Sequence, residues 1–231
     1  MKLTTLVQAL MIAGAATSLG ASIVSAEVQQ IPSSAVSCYF VGRLYFDANG
    51  IAQVAGYFSD INGIGASNSL FNGTPSESRA FFTFRSDLLK NTSLPSNGDI
   101  TLILGPPGSF NIYYNPNPQG NWNNPDSVSA GQKFPGHPIA QFMRPEFLVL
   151  LFQSFSQQAI TETLVASKDF IFGGHKYNFD QLTPGGVTLY EYGSSTPLPP
   201  VAGFPLVFPF AGNCVAVAGG DRKQPTEPAQ R

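Results

Sequence analysis

Residues 39–58 read Tyr-Phe-Val-Gly-Arg-Leu-Tyr-Phe-Asp-Ala-Asn-Gly-Ile-Ala-Gln-Val-Ala-Gly-Tyr-Phe. In an extended chain successive side chains point to opposite faces. Phe40, Gly42, Leu44 and Phe46 therefore share one face, and Arg43 and Asp47 take the other. Asp47-Ala48-Asn49-Gly50 is turn chemistry, because Asn-Gly accepts the positive φ that a tight hairpin demands. The chain then returns through Ala52, Val54, Gly56 and Phe58 on a single face. An antiparallel hairpin follows, and with it the class: all-β, mainly antiparallel.

Working outward, the same alternation recurs. Arg79 to Arg85 puts Ala80, Phe82 and Phe84 on one side, and Asp99 to Leu104 does so with Ile100, Leu102 and Leu104. Ser109 to Tyr114, Thr161 to Val165, Val187 to Tyr192 and Asn213 to Ala218 read as further strands, and Gly173-Gly174-His175 as the turn of a second hairpin. Prolines from Ser194 to Pro209 are too dense for a central strand and predict a loop or an edge. Residues 146–158 read two ways. Phe147 to Phe152 is an apolar run suited to a buried strand, and Arg144-Pro145-Glu146 with Leu148, Leu151, Phe152 and Phe155 also suits a short helix.

Cys38 and Cys214 are the only cysteines. Each sits in a strand-like apolar context near one end of the β region. An even count in an oxidising compartment predicts a bridge, which requires the first and last strands to be neighbours. A closed barrel, or a sandwich with paired terminal strands, meets that condition.

Composition agrees. Only 11% of the 231 residues are charged, while 43% are hydrophobic, with 23 Gly, 19 Pro and 19 Phe. Average domains are about a quarter charged. Lys2, the apolar stretch from Leu6 to Ile23 and Val24-Ser25-Ala26 have the form of a signal peptide over residues 1–26. Residues 27–218 are then a single β domain and residues 219–231 a disordered polar tail. Without the leader the balance is 11 basic to 14 acidic residues, a formal charge of −3. The expected location is periplasmic or extracellular. With no clustered Lys/Arg footprint, nucleic-acid binding is not expected. Stable membrane insertion is not expected either, and oligomeric state is not legible.

Motifs for a nucleophile, a metal, a phosphate or a cofactor are missing from the sequence. The weak catalytic candidates are Glu162, set between Ile160 and Leu164, and Glu191, set in register with Val187 and Leu189. A charge on an apolar face is unfavourable unless it is paired or reaches water, which marks both as candidate acids with raised pKa. Arg43 is a candidate partner. Trp122, with Tyr113 upstream and many Asn residues around it, could instead form an aromatic platform for a small molecule or glycan. The reading is an exported barrel or sandwich, leaning non-enzymatic, that binds a small apolar or aromatic ligand or serves as an envelope or extracellular component. An enzyme using Glu162 and Glu191, glycan-active or a barrel isomerase or cyclase, is the alternative. An outer-membrane barrel stands third.

Overall fold

The computed structural model describes residues 29–65, 69–96, 98–129 and 137–218. The leader assigned to 1–26 and the tail assigned to 219–231 lie outside them. Thirteen strands follow in chain order: β1 (Val36–Phe46), β2 (Ala52–Ile61), β3 (Phe82–Ser86), β4 (Thr92–Ser93), β5 (Thr101–Gly105), β6 (Gly108–Tyr114), β7 (Ala140–Arg144), β8 (Phe147–Leu151), β9 (Phe155–Ser167), β10 (Phe170–Phe172), β11 (His175–Tyr177), β12 (Val187–Ser194) and β13 (Leu206–Ala216). A 3-10 turn covers Pro125–Ser129, and α1 is a single turn, Phe179–Leu182.

Eight strands close into an antiparallel barrel in the order β12, β13, β1, β2, β3, β6, β7, β9 and back to β12. The long strand β9 makes the closure. One side pairs with β12 from Phe155 to Glu162, while the other pairs first with β8 and then with β7. Strands β8, β5 and β4 thereby form a flap that leaves the barrel wall at β9.

First and last strands are neighbours, and Cys38 lies directly opposite Cys214 with Cα atoms 4.9 Å apart and a disulfide between them. Closure leaves the ring without a free edge, and the bridge adds a covalent seal. The bond hints at an oxidising compartment. No helix among the described residues is long and apolar enough to cross a membrane.

The barrel interior is filled by rings. Phe84 is fully buried, with Phe40, Phe58, Phe110 and Phe210 at centroid distances of 5.6, 5.3, 5.1 and 6.3 Å. Glycines make the room. Phe40 pairs across the ladder with Gly212, and Gly42 with Phe210. A Cβ on Gly42 would stand 2.3 Å from the Phe210 ring, and one on Gly212 2.6 Å from the Phe40 ring. Alternating Phe and Gly on facing strands is a volume-matching device.

One open reading is settled and one is corrected. The helix left open over 146–158 does not form. Pro145 interrupts the pairing of β7, the chain re-enters as β8, and β8 pairs with both β5 and β9. Long-range pairing outweighs a local helical period that the same leucines and phenylalanines satisfy. The stretch 194–209 is also partly strand, since β13 begins at Leu206. Pro209 is tolerated because β12 stops pairing at Gly193 and Phe210, so the missing N–H faces no paired strand there.

Candidate functional site

Inward positions on three adjacent strands carry the unusual chemistry. Alternation along β7 sends Ala140, Phe142 and Arg144 inside. Along β9 it sends Gln158, Ile160, Glu162 and Leu164 inside, and along β12 Val187, Leu189 and Glu191. Gln158 faces Glu191, Glu162 faces Val187, and Arg144 stands one residue past the last β7–β9 pair, beside Glu162. Glu162 is completely buried and Arg144 is 4% exposed. Glu191 is half-buried, reaching toward the end of the barrel remote from the disulfide.

Glu191 takes a hydrogen bond from Gln158, while Glu162 and Arg144 are neighbours that are not bonded to each other. Both oxygens of Glu162 and the Nε and Nη2 of Arg144 are buried with no hydrogen-bond partner. The Arg144 guanidinium lies over the Phe147 ring, 4.8 Å from its centroid, a contact that stabilises a cation without neutralising it. Burial pushes the Glu162 carboxyl up to about 8, helped by the Glu191 charge and opposed by Arg144. Burial likewise raises Glu191 to about 7, opposed by a hydrogen bond from Gln158 and by Arg144. Arg144 is drawn down by burial and held up by Glu162, Glu191 and Asp87. Near neutrality the cluster thus holds one cation, a protonated Glu162 and a Glu191 close to its midpoint. It can donate and accept protons, and it can offer charge-assisted hydrogen bonds to a small polar group.

The structure brings Glu162 and Glu191 into one interior, as their place on apolar faces suggested. Arg43 does not join them. Its side chain points outward and lies 4.6 Å from the centroid of Trp122. Arg144 and Gln158 complete the cluster, and sequence reasoning missed both. The signal was there in the alternation Ala140, Phe142, Arg144, but β7 is only five residues long.

Trp122 is half-buried on the outer wall. Tyr57 is its ring neighbour at 5.7 Å, and the Tyr45 hydroxyl donates to its carbonyl at 3.0 Å. Burial pushes Tyr45 up to about 12, with Arg43 opposing and Glu77 adding. Tyr113 is buried on β6, paired opposite Thr83. The gap lined by Tyr45, Tyr57, Glu77 and Trp122 is about 10 Å³, less than a bound water needs in comfort. Trp122 pins the loop after β6 to the barrel.

No family model, curated protein or solved structure matches the chain.

Proposed function

We propose that the chain is an exported β-barrel protein that binds a small ligand through a polar head group held by Arg144, Glu162 and Glu191. The observation that carries this reading is a buried guanidinium and a buried carboxyl on neighbouring strands, with Nε and Nη2 of the first and both oxygens of the second lacking a hydrogen-bond partner. A buried polar group left unpaired is destabilising by roughly 1–3 kcal/mol, more when charged. Such a cluster persists where function requires it.

Shape supports a polar head rather than a wholly apolar ligand. The aromatic interior is occupied by its own rings, and the apolar cavity beside Cys38, Phe58, Phe142 and Leu182 holds about 20 Å³. That is space for little more than one water. The flap residues Phe147 and Val149, inward by register, lie on the mouth side of the cluster.

An enzyme is the second reading. It is favoured by two carboxyls with pKa values near 7 and 8 next to a cation, which suits a general acid and base at neutral pH.

The test is native mass spectrometry of protein purified from its own secretion route, wild type beside Arg144→Met. We expect a small molecule retained by wild type and lost from the variant. Equal spectra, with no adduct on either, together with equal affinity for every compound in a fragment screen, would remove the binding reading. Turnover of a retained compound that stops in both Glu162→Gln and Glu191→Gln would select the enzyme.

A further inference from the structure

The atoms left open in the polar cluster are specific in their chemistry. Nε and Nη2 of Arg144 form one edge of the guanidinium, a fork of parallel N–H donors that matches the two oxygens of a single acidic group. Both atoms are buried and unpartnered, on a side chain only 4% exposed. One strand away, both oxygens of the fully buried Glu162 are open too. Burial favours its protonated form, so Glu162 presents an O–H donor beside a carbonyl acceptor. Gln158 Oε1 is a further open acceptor. Charge decides among these atoms. The guanidinium is the full cation of the cluster, and no carboxylate is bonded to its open edge. The acids that act on it are Glu162, Glu191 on β12 and the exposed Asp87 after β3, which accepts from the Ser109 N–H at 2.8 Å. A singly charged anion is offset by Arg144, whereas a doubly charged phosphate meets stronger repulsion from these acids.

We propose that, given the binding role set out above, the head group is the carboxylate of a small apolar acid, seated on the Nε and Nη2 edge of Arg144 and taking a further hydrogen bond from Glu162. The surroundings supply the tail. Deeper in the barrel the packed rings leave a cavity of about 20 Å³, so the tail runs the other way, along the flap. Phe147, Val149 and Leu151 share one face of β8, and Ile103 of β5 is paired beside Val149. The guanidinium lies over Phe147, so this face begins at the head-group position. Ile103, Val149 and Leu151 are only half-buried, and an apolar chain laid against them removes aliphatic surface from water. From Phe147 to Leu151 the face extends roughly 13 Å, the reach of a short acyl chain.

Isothermal titration calorimetry tests this, on protein purified from its own secretion route and dialysed free of retained compounds. The probes are octanoate and 3-phenylpropionate, each beside the alcohol and the amine of the same tail. At pH 7 at least one acid should bind, with its alcohol and its amine at least about tenfold weaker. Arg144→Lys keeps the charge and loses the fork, and it should weaken the acid at least about tenfold; circular dichroism verifies its fold. The comparison of acid with alcohol uses wild type alone and stands even where the variant does not fold. Between pH 7 and pH 9 Glu162 ionises, competes for Arg144 and joins Glu191 in repelling the ligand, so affinity for the acid should fall severalfold. Binding of neither acid overturns the proposal, as does equal binding to Arg144→Lys or an affinity that holds or rises with pH. An alcohol or amine that binds more tightly than its acid, and is lost in Arg144→Met, also overturns it while leaving the cluster as the holder of a different head group. The broader binding role fails separately, through equal affinity of wild type and Arg144→Met for all six compounds.

Discussion

Two regions of the barrel interior obey the same alternation and are built on opposite principles. Around the disulfide the inward positions are mostly rings, aliphatic chains, glycines that receive a ring and the bridged sulfurs, with only the small hydroxyls of Ser37 and Thr183 among them. Along β7, β9 and β12 the same register delivers Arg144, Glu162, Gln158 and Glu191, with Glu162 and Glu191 on either side of the rung Ile160, Leu189 and Cys214. One region is closed by packing and covalent chemistry. The other holds polar atoms that the protein itself does not satisfy. Stability is concentrated in the first region and given up in the second, which is the distribution expected when a site occupies part of a core.

The largest effect should come from the packed region. Phe84→Ala removes a ring in contact with four others and leaves a cavity that surrounding strands cannot collapse. We expect a loss of about 3–5 kcal/mol in urea unfolding. A loss under about 1 kcal/mol would mean that the rings are not a rigid core. Next, replacing Cys38 and Cys214 together by Ser should remove roughly 2–4 kcal/mol, because the bridge spans a sequence separation of 176. The same unfolding curve, with and without reductant on wild type, measures it.

In the polar region the effect depends on pH. The Glu162 carboxyl rises from 4.5 unfolded to about 8 folded, so the folded state binds the additional proton. Its contribution is complete below about 4.5 and is lost as pH rises through 8. Wild type should therefore weaken between pH 5 and pH 9. Glu162→Gln should flatten that slope, with a relative gain of roughly 2–3 kcal/mol at pH 9 and little change at pH 5. Parallel slopes for the two proteins would separate Glu162 from the pH response.

The smallest effect belongs to the outer wall. Trp122→Ala removes the Tyr57 and Arg43 contacts from a half-buried ring and should lower stability by about 1–2 kcal/mol. Faster proteolysis of the loop after β6 should accompany it. An unchanged loop would show that Trp122 does not hold it.

How much of this contrast was legible in the sequence depends on the range of the interactions involved. The β1–β2 hairpin was legible because turn and alternation are local, and Asn49-Gly50 supplies both. The pairing of Cys38 with Cys214 was legible because only one pairing exists. Glu162 and Glu191 stood out as charges on apolar faces, a local signal again. Arg144 did not, since its neighbour Glu162 lies on β9, beyond a flap whose pairing no periodicity records. Arg43 looked equivalent by composition and faces the other way. The strand character of Phe147 to Leu151 was undecidable locally, and β5 and β9 decide it. The flap and the double pairing of β9 are likewise products of closure, which depends on contacts far apart in the chain.

The central claim is that Glu162 is a buried carboxyl held near Arg144 and protonated at neutral pH. Carbon-13 NMR titration of its side-chain carboxyl tests this directly, in wild type and in Arg144→Met. The account predicts a midpoint near 8 in wild type and a higher one in the variant, since Arg144 lowers the value. A midpoint near 4.5 that does not respond to the substitution would contradict it.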